Sequence, residues 1–272
     1  MGYAEVMMNI GGSLTKLGSS LVFALSVLGV LAPTASQAQE TSIKVAVEGI
    51  FPPFNYLDSN NTLQGFDVEI AKALCGVARL DCEFVVQDWD GMIPNLLAKK
   101  YDTIISSMSM SAERKEKVTF TARYYDSPSV FIVQKTSPLK RMQASDLIGK
   151  KLGVTSSTSQ ASFANDHYSS VERIVYPSSP ELYKALEAKE VDVILEDKLA
   201  IYDWLTNTKA GSCCEFRGED IKDPRYFGEG SGIAVRPQDA ALLRQLDQAL
   251  ETIQADGTYD MINAKYFPFS IR

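Results

Sequence analysis

Between Asp102 and Arg114 the chain reads DTIISSMSMSAER. An apolar strand, Thr103 to Ile105, gives way to hydroxyls at Ser106, Ser107 and Ser109, and a single arginine, Arg114, follows on the next short element. Hydroxyl and amide donors beside a planar guanidinium are the chemistry that holds a carboxylate in a two-pronged hydrogen bond. Open α/β sheets collect ligands at the carboxyl ends of their strands, where this cluster falls. The plain alternative is a Ser-rich turn with a solvated arginine.

A partial echo of the segment follows. LLAKKYDTIISS, ending at Ser107, aligns with LEAKEVDVILED, ending at Asp197, when Asp102 is set against Asp192. A helix tail, an Ala-Lys pair, an Asp and an apolar strand recur in that order. The first strand ends in serines with a cation close by, and the second ends in Glu196 and Asp197. Two such ends facing each other across a cleft suit a zwitterion, although helix–strand units also resemble one another by chance.

The elements that must position these groups alternate. Residues 43–47 form a strand, Asp67 caps a helix with Ile70, Ala73, Leu74 and Val77 on one face, and residues 84–87 form a strand. Asp90 starts a helix with Pro94 in its first turn and Leu96 and Leu97 on its buried side. Residues 102–106 close the unit, so the sequence predicts a parallel or mixed sheet with helices on both faces. Residues 130–134 cross into a second lobe, where the pattern restarts with a strand at 151–155. Thr158 or Ser159 caps the next helix, Ser179-Pro180-Glu181 starts another, and residues 191–195 are the echoed strand. Residues 228–236 cross back, and helices at 240–255 and 259–266 close the chain. Two α/β lobes joined by two extended segments can hinge about a cleft.

At 272 residues the chain is long enough for one large domain or two modest ones. Its apolar content is ordinary and its net charge is −7, which disfavours both disorder and nucleic-acid binding. Residues 1–38 read as a secretory signal peptide: Lys16 precedes an apolar run from Leu17 to Leu31, and small residues lead to a cleavage site after Ala38. The run is shorter than the ~20 residues of a spanning helix. The stretch before Lys16 is long and contains Glu5, so translation from Met7 or Met8 is the alternative start. Export implies an oxidising compartment, which suits the cysteines. The Cys75 and Cys82 spacing is compatible with a disulfide from a helix end into the next strand. Adjacent Cys213 and Cys214 are open to a vicinal disulfide, to reduced thiols or to pairing between molecules. No metal centre or cofactor is expected, because the lone histidine, His167, has no cysteine near it.

From about residue 41 to 270 the chain resembles the periplasmic polar amino-acid-binding proteins of ABC transporters, in the lysine/arginine/ornithine- and histidine-binding group. The motifs that carry the resemblance are FPPFNYLD at Phe51, GFDVEIAKALC at Gly65, QDWDGMIPNLLAKKYDTIISSMSMSAERKEKVTFT at Gln87, VDVILEDKLA at Val191, KDPRYFGEGSGIAVR at Lys222 and DGTYDMINAKYF at Asp256. The resemblance implies a two-lobed α/β fold of the type II periplasmic binding protein kind. Its first lobe spans residues 41–128 with 229–272, and its second spans 129–228 with the hinge strands. It implies a monomer that carries a small amino acid to the permease subunits of an ABC importer, and it matches a Cys75–Cys82 disulfide.

Position by position, the resemblance implies that Arg114 takes the ligand α-carboxylate and Asp197 the α-ammonium. Ser107 and Ser109 supply bonds from the first lobe, and Thr158 and Ser159 sit where the second lobe gives hydroxyl and amide donors, at a helix start that favours an anion. Ser106 and Thr155 complete the expected ligand-binding set, Thr155 at a position that the group often fills otherwise. Phe51 and Trp89 match the aromatic walls around the ligand side chain. Glu48 matches an acid that faces the ligand's distal cation, with glutamate where aspartate is usual; a solvated strand-end charge is the alternative. Aromatic faces with an acid at their end favour a cation, so arginine, lysine, ornithine, histidine or an opine conjugate of arginine fits. A neutral polar amino acid such as glutamine, or a dehydratase-like enzyme on the same fold, is the competing reading.

Overall fold

The strand Thr41–Val47 carries Val45, Ala46 and Val47 in unbroken succession, and all of them are fully buried. Such a run suits a parallel strand covered on both faces. In the computed structural model, which describes residues 41–272, this strand lies between Leu80–Val86 and Thr103–Ile104 and runs parallel to both. Ala234–Val235 continues the sheet antiparallel to Thr103–Ile104, and Thr119–Phe120 forms its edge. The expected signal peptide, residues 1–38, lies outside the described residues. No helix among the described residues is long and apolar enough to cross a membrane.

A second five-stranded sheet repeats this plan. Lys151–Thr155 is flanked in parallel by Glu172–Tyr176 and Val193–Asp197, and Ser129–Gln134 and Cys214–Ile221 add antiparallel strands. The extended run expected to cross between lobes is therefore the strand Ser129–Gln134 inside the second sheet.

The sequence echo has a physical counterpart. Asp102 Oδ2 accepts from Lys44 N at 2.9 Å, and Asp192 Oδ2 accepts from Lys151 N at 2.9 Å. Each Asp thus pins its strand to the neighbouring one, at Lys44 in the middle of Thr41–Val47 and at Lys151, the first residue of Lys151–Thr155. Just upstream, Lys99 and Lys189 both take left-handed backbone angles, φ 61° and 62°. The amides of Lys100 and Glu190 then close six-residue loops onto Asn95 O and Ala185 O. These are Schellman-type helix ends. Because register is set equivalently in both units, Ser106-Ser107 and Glu196-Asp197 finish equivalent strands.

Crossover helices follow the predicted periodicity with local exceptions. Phe66–Ala78 buries Phe66, Ile70 and Leu74, but Val77 is exposed. Asp67 does not cap this helix. Gly65 occupies the cap with φ 120°, where a Cβ would sit 2.2 Å from Phe54 O, and Asp67 falls inside the first turn with its side chain fully buried. The helix expected from Asp90 is a 3-10 turn, Trp89–Gly91, followed by Met92–Leu97; Leu96 is buried and Leu97 exposed. Cys75 and Cys82 are disulfide-bonded with Cα atoms 6.2 Å apart, tying the helix to the edge strand Leu80–Val86. Cys213 and Cys214 are bonded to each other.

Candidate functional site

The carboxyl ends of the central strands deliver their side chains to one cavity between the two sheets. Glu48, Phe51, Trp89, Ser106, Ser107, Ser109, Arg114, Thr155, Thr158, Ser159 and Asp197 all line it. Glu196, which the strand echo sets beside Asp197 at the cleft without a contact of its own, lines it as well, with Gln160 and Ser179, to which the sequence assigns no part in the site.

Arg114 lies in the short helix Ala112–Lys115, which Ser111 starts by accepting a bond from the Arg114 amide. Its guanidinium is buried, donates through NH1 to Ser109 O and through NH2 to Ser157 O, both at 3.1 Å, and sits 5.1 Å above the Trp89 ring. Burial brings its pKa down to about 10. Trp89 Nε1 also donates to Ser157 O at 3.1 Å, and Ser156 Oγ reaches Asp90 at 3.0 Å. These bonds join segments that follow the two sheets and shut one side of the cavity.

The serines divide their work. Ser106 Oγ accepts from the Glu48 amide at 3.0 Å, which holds the end of strand Thr41–Val47. Ser107, at φ 54°, donates its hydroxyl to Asp67 Oδ2 at 2.8 Å. Asp67 also accepts from Tyr124 OH at 2.7 Å and from Asn55 Nδ2 at 2.8 Å. With its proton committed, the Ser107 oxygen faces other groups as an acceptor. Burial raises Asp67 to about 6 against the opposing pull of these donors, Tyr124 first. Asp67 is thus a supporting residue of the site; its type and place in the helix looked like a cap and gave no sign of the three donors folded around it.

On the opposite side, Thr158 caps the helix Ser159–His167: its hydroxyl accepts from Ala161 N at 3.1 Å and donates to Thr155 O at 2.7 Å. That hydroxyl is therefore committed to the fold, a correction to its expected role as a hydroxyl donor in the cavity. Ser159 Oγ, by contrast, is buried with no protein partner, at the positive end of the helix dipole. Asp197 caps the helix Lys198–Asn207. Its Oδ1 accepts from Ser127 Oγ at 2.7 Å, Leu199 N at 2.9 Å and Ala200 N at 3.0 Å, while Oδ2 takes no protein hydrogen bond. Burial outweighs these donors and lifts its pKa to about 6.

Glu196 is buried beside it, accepting at Oε1 from Ser179 Oγ at 2.9 Å and Tyr183 OH at 3.3 Å. Thr155 Oγ1 lies 3.4 Å from the same Ser179 hydroxyl. Ser178, not Ser179, takes the cap position of the helix Ser179–Glu187, which frees Ser179 for this bond. Burial, then the adjacent Asp197, raise Glu196 to about 8. Glu48 is raised to about 7, first by burial and then by Asp88 and Asp90, and its carboxylate takes no protein hydrogen bond. Phe51 stacks on Phe54 with centroids 5.7 Å apart, giving the cavity a firm aromatic wall. His167 lies elsewhere, stacked on Phe163 at the exposed end of its helix.

The assembled groups are a buried cation with free N–H edges, an unpartnered hydroxyl at a helix start, and carboxylates with open oxygens, between aromatic walls. This arrangement can hold an anion and a cation of one small molecule at once. The profile of the bacterial extracellular solute-binding proteins, family 3, matches residues 43–269. The L-arginine-binding protein of Pseudomonas aeruginosa is 36% identical over 258 residues, covering 94% of this chain and 98% of that protein. The lysine/arginine/ornithine-binding periplasmic protein of Escherichia coli is 33% identical over 254 residues, covering 92% and 97%. A solved periplasmic binding protein of Salmonella typhimurium with high arginine specificity superposes with a TM-score of 0.76 at 29% identity, over 84% of this chain and 99% of that one.

Proposed function

The chain belongs to the bacterial extracellular solute-binding proteins, family 3, and on that premise we propose that it binds a polar, basic amino acid and delivers it to an ABC importer. The observation that carries this reading is the meeting of the buried Arg114 guanidinium and the open Asp197 Oδ2 in one cavity. Arg114, with the Ser159 hydroxyl and the amides at the start of its helix, receives the α-carboxylate. Asp197 receives the α-ammonium, helped by the Ser107 oxygen, which its bond to Asp67 has oriented as an acceptor. The side chain lies between Phe51 and Trp89, and its distal cation meets Glu48.

Residues 41–128 with 229–272 form the first lobe in this reading, and 129–228 the second. The protein is a monomer that reaches the periplasm through the signal peptide 1–38, and its partners are the permease subunits of the importer. The function is binding without catalysis, so arogenate and prephenate are not turned over. Denaturing freshly purified protein and identifying the released small molecules by mass spectrometry, followed by calorimetry with arginine, lysine, ornithine, histidine and glutamine, tests the ligand class. Binding of neutral amino acids alone would reject the basic specificity.

Two variants refine the assignment. Glu48→Gln keeps the shape and removes the charge, so arginine and lysine are expected to bind less tightly by ~1–3 kcal/mol, the scale of hydrogen bonds to charged groups. Glutamine should change little or gain, and equal losses for both ligand classes would make Glu48 structural. Trp89, one of two tryptophans, is the expected reporter of binding. The other, Trp204, packs on Tyr183 at 5.2 Å, outside the cavity lining. Intrinsic fluorescence should change with ligand, and Trp89→Phe should lose most of the change while still binding. An undiminished signal in that variant would assign it to Trp204.

A further inference from the structure

The ligand assignment above leaves one buried acid without a task. Glu196 is 3% exposed, yet only its Oε1 is engaged by the protein; Oε2 accepts no hydrogen bond and the side chain lines the cavity. Glu48 enters the same cavity from the other sheet, also with no hydrogen bond to its carboxylate. Among the described residues, neither acid forms an ion pair with a protein cation. Burying a carboxylate with an open oxygen is costly unless a charge or donor completes it. Glu48 also adds to the cost of ionising Glu196, after burial and Asp197.

A ligand cation relieves both at once. Guanidinium suits the task better than ammonium, because its five N–H donors lie on separate edges of a plane. One edge can engage one carboxylate in a fork while another N–H reaches the second carboxylate. We propose that Glu196 and Glu48 together form a two-carboxylate seat for a guanidinium, so that the protein selects arginine over lysine and ornithine and releases a proton on binding it. This rests on the basic-amino-acid reading given above.

The surroundings set the proton balance. Asp88 and Asp90 face Glu48, and Asp197 adjoins Glu196 on its own strand. From the helix Ser179–Glu187, Glu196 meets Ser179 and Tyr183, whose phenol burial holds well above its ordinary pKa and therefore neutral. Gln160 and Thr155 also line the cavity without charge, and Arg114 is the cation that lines it. With Glu48 at about 7 and Glu196 at about 8, the pair is partly protonated at neutral pH. A bound cation favours the ionised forms, so the proton leaves to solvent and affinity rises with pH until both acids are ionised without help.

Calorimetry with arginine and with citrulline, its uncharged isostere, between pH 5.5 and 8.5 in buffers of different ionisation enthalpy tests this. Asp197 titrates with both ligands, so the difference between them reads the distal pair. Arginine is expected to release more protons at pH 7 than citrulline and to gain affinity more steeply with pH. Glu196→Gln should cut arginine affinity at pH 8 by about 10- to 100-fold, lower the proton release, and narrow the arginine-to-lysine ratio. Citrulline affinity should hold or improve. Equal proton release for arginine and citrulline in the wild-type protein overturns the seat without any variant, as does a Glu196→Gln protein with unchanged arginine affinity and proton release. A wild-type protein that binds no basic amino acid rejects the underlying ligand reading instead, and the seat with it.

Discussion

Arg114→Ala is expected to abolish measurable binding of basic amino acids, and Arg114→Lys is expected not to restore it. The guanidinium already gives one N–H to Ser109 O and one to Ser157 O, and its plane rests near the Trp89 ring. These contacts fix its orientation before any ligand arrives, leaving the remaining N–H donors for a carboxylate. An ammonium has no plane to fix and no fork to offer, so lysine keeps the charge and loses the geometry. Removing one partner of a buried charge pair costs ~3–5 kcal/mol, or about two to nearly four orders of magnitude in affinity. Part of the loss has another origin, since the Arg114–Ser157 bond joins the two sides of the cavity. A thermal melt alongside the calorimetry separates the contributions. Near-normal affinity in a folded alanine variant would show that the carboxylate is held elsewhere.

The resemblance in the sequence extended to the whole described chain, and the reason the strand ends were readable is visible in Asp102 and Asp192. An Asp before an apolar strand, preceded by Ala-Lys, has a physical job: it accepts a backbone amide of the neighbouring strand and fixes register. That job leaves a mark on residue type. Burial within helices leaves a weaker one. Val77 and Leu97 fit the helical period and are nevertheless exposed, because the period predicts a face and not how far a neighbour extends across it. Asp67 was legible as a cap from its position before Val68 and Ile70, but its donors arrive from Asn55, Ser107 and Tyr124. Contacts spanning such separations have no local signature.

Glu196 shows a different limit. Alternation along a strand sends neighbouring side chains to opposite faces, so choosing Asp197 as a cavity residue argues against Glu196. Both line the cavity because it lies beyond the end of the strand, where the two faces converge, and because Ser179 and Tyr183 turn the Glu196 carboxylate toward it. The two acids were visible side by side in VDVILED. Their shared use depends on the helix that packs over them.

Asp197 offers the sharpest separation of folding from binding. One carboxylate oxygen is occupied by the start of the helix Lys198–Asn207 and by Ser127, and the other is open. Asn is as good a helix cap as Asp, so Asp197→Asn should melt near the wild-type temperature while losing ~1.5–3 kcal/mol of binding, the worth of a hydrogen bond to a charged group. Asp197→Ala loses the cap as well, at a cost of ~0.5–2 kcal/mol in stability. Both variants lose the open oxygen, because an Asn that keeps its oxygen in the cap turns its amide NH2 toward the ammonium. The pH dependence has a definite sign. Burial raises this carboxyl to about 6, so the ammonium partner is neutralised as pH falls through that value, and affinity should drop below pH 6 for charged and neutral side chains alike. In Asp197→Asn that shared acid limb should disappear, leaving only the part specific to cationic side chains. An Asn variant that binds as tightly as wild type, with the acid limb intact, would reduce Asp197 to a helix cap and leave the ammonium without its proposed partner.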